Sequence, residues 1–218
     1  MLKISMAGTG GLLLDMAEGA FDEAVQARIW AMARTLGASE WCTQAVPGVN
    51  NLLVTFDPLV TDGEKVSQKL GILWAEAVAD DTPPAVIDVR VDYGGTFGED
   101  LPEIASRTGL TEDEVIALHA SGTYRVAAIG AMPGFVYLTG LDSRLAIPRR
   151  HSPRLKVEQG AVVIGGGHAG IMPCAAPSGW HIMGRTKLDM FSPHRQDPLL
   201  LHLGDIVRFH DSRKDCPA

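Results

Sequence analysis

A chain of 218 residues in which 46% are hydrophobic and 21% charged has the composition of an ordinary globular protein, long enough for one large domain or two small ones. Its formal net charge of −7 argues against a general nucleic-acid binder. Three scattered cysteines, Cys42, Cys174 and Cys216, read as free thiols of a reducing compartment. No signal-peptide pattern and no apolar run near the ~20 residues of a membrane span is found. A cytoplasmic protein with no membrane partner is expected.

In chain order, the leucine-rich run 11–17 reads as a strand between glycines. Residues 21–37 read as a helix, with Ala24, Val25, Ile29, Met32, Ala33 and Leu36 at three- and four-residue steps and Gly37 as a stop. An extended segment 40–46 ends at Pro47-Gly48, and 51–56 is a second strand closed by Asp57-Pro58. Thr61 or Asp62 caps a helix to about Ala79. Asp80-Asp81-Thr82-Pro83-Pro84 is a break, and 86–91 alternates as a strand that could join either side of it. The resulting β-α-β-β-α-β order is the split βαβ, ferredoxin-like pattern.

Beyond Tyr93 the texture changes. Short helices are expected at 101–107 and 112–120, the second opened by a capping box of Thr111 and Glu114. Glycine and proline then punctuate short strands at 123–129, 135–138, 161–164, 180–183, 199–201 and 206–210, the pattern of a barrel or sandwich.

Four segments could carry chemistry. Pro133-Gly134 makes a tight turn that exposes amides, with Phe135 and Tyr137 following; the plain alternative is a hairpin with two core aromatics. Pro148-Arg149-Arg150-His151-Ser152-Pro153-Arg154, with Arg144 nearby, is a proline-stiffened basic loop suited to carboxylates or phosphates, or else a solvated loop or a set of arginines answered by acids of a partner chain. Gly165-Gly166-Gly167-His168 allows close backbone approach but lacks both a P-loop ending and a βαβ context, so nucleotide binding by this chain is not expected. Trp180 through Arg185-Thr186 reads as a rim strand, or as a barrel strand with a structural Trp. The seven histidines show no metal-ligand spacing, so no metal is expected, and no Gly-x-Ser-x-Gly elbow is present.

Taken together, Tyr93-Gly94-Gly95-Thr96-Phe97-Gly98-Glu99-Asp100-Leu101, Leu118-His119, Pro133 to Leu138, Pro148-Arg149-Arg150 with Pro153-Arg154, Ser178-Gly179-Trp180 to Gly184-Arg185-Thr186, and Leu203 to Phe209 resemble the ordered motifs of a known family. It comprises allophanate hydrolase subunit 1 and the B-type subunit of 5-oxoprolinase, with KipI-like proteins among its members. The resemblance implies an α+β protein, with a ferredoxin-like domain over residues 1–84 and a cyclophilin-like β-barrel over 85–218. It implies one component of an ATP-dependent amide-bond hydrolase that opens 5-oxoproline to glutamate or acts on allophanate. The ATP would be used by the complex and not bound by this chain. The expected partner is subunit 2, which is the C-type (KipA-like) component, with room for a further A-type component. The alternative is a KipI-like inhibitor of a sensor histidine kinase; a prolyl isomerase is a third, weaker analogy.

On this reading, the pocket takes a small carboxylate or amide. His119 is the proton-transfer candidate, and Arg150, Arg154 and Arg185 are the anion holders. The amides after Pro133 stabilise an oxyanion, and Pro133, Gly134, Phe135, Tyr137, His168, Trp180, Arg185 and Thr186 bind substrate. The sequence departs from the family pattern at Ala131, Met132, His168-Ala169, Met172 and Ser178, and His168 would add a group titrating near neutrality.

Overall fold

The computed structural model describes residues 2–16, 21–79 and 83–214. Cys216, the end of the 11–17 strand and residues 80–82 of the expected break lie outside them. The chain divides into two compact units, Met1–Pro83 and Pro84–Ala218.

The first unit holds strands β1 (Lys3–Met6) and β2 (Gly11–Asp15), helix α1 (Glu23–Gly37), strands β3 (Gln44–Pro47) and β4 (Asn51–Thr55), and helix α2 (Gly63–Glu76). The strands form one antiparallel sheet in the order β1-β2-β4-β3. Alternation decides its inner face: Leu12 opposes Val54, Leu14 opposes Leu52, and all four are buried. Ile29, Met32 and Leu36 of α1 and Val66, Leu70 and Trp74 of α2 close over them. Both helices start at an aspartate whose carboxylate accepts an N–H of the first turn, Asp22 from Val25 and Asp62 from Lys65, each at about 3 Å. The element order here is ββαββα. It corrects the expected βαββαβ order, because Lys3–Met6 supplies an unforeseen strand and 86–91 belongs to the second unit.

The second unit opens with β5 (Val86–Tyr93), α3 (Leu101–Thr108) and α4 (Glu112–Ser121), and α4 carries the expected capping box. Then come β6 (Thr123–Ile129), β7 (Val136–Thr139), β8 (Arg154–Val157), β9 (Ala161–Gly165), β10 (His168–Ile171), β11 (Ala176–Ser178), β12 (His181–Arg185) and β13 (Ile206–Asp211). Seven of these close a barrel in the order β10-β7-β6-β13-β5-β12-β9, and β8 with β11 forms a separate ribbon. Strand β5 runs parallel to β13 over six residue pairs, Val86 with Ile206 to Val91 with Asp211.

Val89, Val91 and Tyr93 therefore point into the core with Val207 and Phe209. Asp88, Arg90 and Asp92 take the opposite face of β5. Strand β9 is buried on both faces. Val162 and Ile164 join the barrel core, while Ala161 and Val163 pack with Phe135, Val157, Met172, Trp180 and Ile182 outside it. The expected strand at 199–201 reduces to a single bridge between Phe191 and Leu199.

Candidate functional site

The loop after Tyr93 is laid flat against β12. Gly98 approaches Met183 so closely that a Cβ there would stand 2.1 Å from the Met183 carbonyl oxygen, so only glycine fits. This docking sets Asp100 beside Ile182. The Asp100 N–H donates to the Ile182 carbonyl at 3.2 Å, and the Ile182 N–H donates to Asp100 Oδ2 at 2.7 Å. The proline-stiffened segment supplies the cations. Arg150 donates its backbone N–H to the Gly179 carbonyl, and Arg154 pairs in register with Ser178.

Both guanidinium groups converge on the Asp100 carboxylate, whose side chain is 3% exposed. Arg154 holds it through Nη1 at 2.8 Å and Nη2 at 2.6 Å, and Arg150 through Nη1 at 3.0 Å. Arg150 Nη1 also reaches Glu103 at 2.9 Å, and Arg154 Nε lies 3.4 Å from Glu99. The Asp100 carboxylate holds the Arg154 pKa above its ordinary value. Arg154, an expected anion holder, is thus answered by acids of its own chain. Arg150 retains capacity: its buried Nε has no partner among the described residues.

His181 stands at the same node. Its Nε2 donates to the Pro148 carbonyl at 3.0 Å, and its buried Nδ1 is unpartnered among the described residues. Asp100, Glu103 and His181 bring one ligand-type atom each within 4.8 Å of one another. A divalent ion there would compete with two guanidinium groups for the Asp100 oxygens, so the donor set favours the ion-pair network.

The expected substrate-binding aromatics also meet, on the outer side of the barrel wall. Phe135 and Trp180 are edge-to-face at 5.5 Å, Phe135 and Tyr137 at 5.1 Å, and Tyr137 and His168 at 6.4 Å. Gly165 makes room for this stack, because a Cβ there would meet the Trp180 ring at 2.9 Å. Phe135 and Trp180 are buried, whereas Tyr137 and His168 are partly exposed. At the adjoining turn, Pro133 is exposed and Gly134 is left-handed at φ 83°. Of the amides expected to face an oxyanion, that of Phe135 donates instead to the Met132 carbonyl at 3.1 Å. Burial lowers the His168 pKa, so the ring is neutral at pH 7 rather than poised there. The glycine run 165–167 ends β9 at Gly165 and turns into β10 through Gly166-Gly167; it is not a helix N-terminus and offers no phosphate cradle of the P-loop kind.

His119 lies apart from all of this. It is wholly buried in the barrel unit's core, 4.5 Å from the Phe209 ring, and shares a 2.7 Å hydrogen bond between Nδ1 and the Tyr93 hydroxyl. Burial pushes its pKa down to about 3. His119, the expected proton-transfer candidate, is thus a neutral group of the core.

Arg185 and Thr186 stand elsewhere again. The Arg185 Nε donates to the Gln159 carbonyl at 3.1 Å, and the Thr186 hydroxyl accepts from the Leu188 N–H at 3.3 Å. Both residues line a cleft of about 370 Å³ with Asp92, Phe97, Gln159 and Lys187. Sequence reasoning missed Asp100 as a site residue. Its place just before Leu101-Pro102 suggests a helix cap, yet it makes no capping bond and its carboxylate serves the arginines instead.

The family model "Carboxyltransferase domain, subdomain C and D" matches residues 2–201. The chain belongs to this family. Among its relatives, the B-type subunit of 5-oxoprolinase from Escherichia coli O157:H7 is 40% identical over 186 residues, covering 85% of each chain. The crystal structure of TTHA0988 superposes with a TM-score of 0.79 at 33% identity, covering all of this chain but 41% of that one. The Kluyveromyces lactis urea amidolyase shares the fold with a TM-score of 0.82 at 19% identity, and this chain spans 15% of its length. Among the described residues, no helix is long and apolar enough to cross a membrane.

Proposed function

We propose that this chain is the B-type subunit of a 5-oxoprolinase complex, which opens 5-oxoproline to glutamate at the expense of ATP. The observation that carries the reading is the 40% identity to such a protein over 85% of both chains. The geometry supports it. Three motif segments far apart in sequence meet at Asp100, and the aromatic corner and the Arg185 cleft belong to the same unit.

In this reading Arg150 offers its remaining N–H groups to a substrate carboxylate, Asp100 and Glu103 orient it, and Tyr137, His168 and Trp180 form an aromatic wall. ATP supplies the driving force for lactam opening. The glycine turn at 165–167 does not fit a nucleotide phosphate, so the nucleotide is assigned to a partner of the C or A type. The chain is inactive alone and works in the cytoplasm with those partners.

The test is reconstitution. The chain is co-purified with its partner proteins and assayed for glutamate released from 5-oxoproline, with and without ATP. ATP-dependent release that disappears when this chain is omitted is the expected result. An assembled complex that leaves 5-oxoproline untouched would overturn the reading.

A further inference from the structure

Strand β12 pairs with β5 at only two positions, Gly184 with Tyr93 and Arg185 with Asp92. After Arg185 the chain turns away from the sheet, tied by the Thr186 N–H to the Gly160 carbonyl at 2.9 Å. The gap left beside β5 is the 370 Å³ cleft, which shares Asp92, Thr186, Lys187 and Leu188 with an adjoining cleft of about 520 Å³. Such volumes suit a small ligand.

The charges in this furrow are left open toward a ligand. Among the described residues, Arg185 hydrogen-bonds only through its Nε, to Gln159, and feels the charge of Glu158, which itself pairs with Lys156. Lys187 has no ion pair among the described residues. Asp92 faces Arg185 across the strand pair, yet its carboxylate accepts from Ser212 at 2.5 Å and makes no ion pair with that arginine. Two cations with free N–H groups therefore flank the Asp92 carboxylate, which keeps a free oxygen, while the second carboxylate of the furrow, Asp189, accepts from the Gln159 amide at 3.5 Å. A phosphate group offers nothing to the free oxygen of Asp92, whereas a molecule with two carboxylates and one ammonium answers both cations and that acid.

We propose that this furrow binds a dicarboxylic α-amino acid, with its carboxylates on Arg185 and Lys187 and its ammonium on Asp92. The choice of L-glutamate among such molecules rests on the 5-oxoprolinase reading, since glutamate is the product of that reaction. 5-Oxoproline has one carboxylate and no ammonium, so the furrow favours the opened form over the ring.

The experiment is titration calorimetry with L-glutamate, glutarate and 5-oxoproline, on the chain and on its assembly with partner proteins. Saturable glutamate binding is expected, with glutarate weaker by about tenfold or more. Arg185→Gln and Lys187→Gln each weaken glutamate by a similar factor, and Asp92→Asn erases its advantage over glutarate. Arg208→Ala, on β13 outside the furrow, leaves binding unchanged. Absence of glutamate binding in both preparations, or binding indifferent to Arg185→Gln, would overturn the inference. If the assembly hydrolyses 5-oxoproline in either of those cases, only the furrow assignment fails. If it does not hydrolyse but the chain binds glutamate in this charge-dependent way, only the enzymatic reading fails.

Discussion

At the Asp100 node two guanidinium groups close on one buried carboxylate, whereas at the Arg185 furrow a guanidinium and an ammonium stand beside a carboxylate without pairing to it. The two regions are linked through β12, with Ile182 held by Asp100 and Arg185 lining the furrow. The difference is one of burial. A carboxylate 3% exposed must be compensated by charge and hydrogen bonds, so the node serves the fold first. The furrow's groups remain hydrated and can exchange water for a ligand.

The comparison can be broken most forcefully at Asp100. Asp100→Ala leaves Arg150 and Arg154 without their common anion, and a loss of about 3–5 kcal/mol is expected in urea unfolding. A loss below about 1 kcal/mol would mean that the node is not structural. Gly98→Ala strikes the loop that carries Asp100. With a Cβ 2.1 Å from a carbonyl oxygen, the loop must lift, and overpacking of this kind costs about 1–3 kcal/mol. A crystal structure of that variant with an intact node would dissociate loop docking from ion pairing.

His119 supplies a third arrangement, a buried titratable group with no charge partner. Its folded-state pKa of about 3 lies below the ordinary value of 6.5. As pH falls below 6.5, the unfolded chain takes up a proton that the folded chain refuses. The contribution is complete above pH 6.5 and is lost progressively between there and pH 3. From pH 7 to pH 5 the wild type should lose about 2 kcal/mol more than His119→Gln; parallel pH profiles would sink the account. The smallest effect is expected in the furrow. Arg185→Ala should change stability by less than about 0.5 kcal/mol while reducing turnover of the assembled complex.

Helices α1, α2 and α4 were legible because their apolar spacing and caps are local signals, and β6, β9 and β13 because they are apolar runs between turns. Strands β8 and β10 were hidden. Arg154-Leu155-Lys156 looks like a basic loop, and His168-Ala169-Gly170 continues a glycine run. Strand β5 could be read as a strand but not assigned its neighbour, because parallel pairing with β13 joins residues some 120 positions apart. The same holds for the site. Arginines in a proline-stiffened loop were visible, but the acid that neutralises them sits 50 and 54 residues earlier. Nothing local distinguishes Asp100 from a helix cap. The aromatic corner was easier, since Phe135 and Tyr137 share one turn and strand.

The pairing of β5 with β13 makes the first strand of the barrel unit a neighbour of its last. During synthesis the wall cannot be completed until Asp211 has left the ribosome, and until then β5 exposes an unpaired edge. Meanwhile the ββαββα unit, whose sheet is complete by Thr55, can form without waiting. Chains cut before Ile206 should therefore keep a folded front portion and an aggregation-prone remainder, which makes the last described strand the latch of the whole barrel.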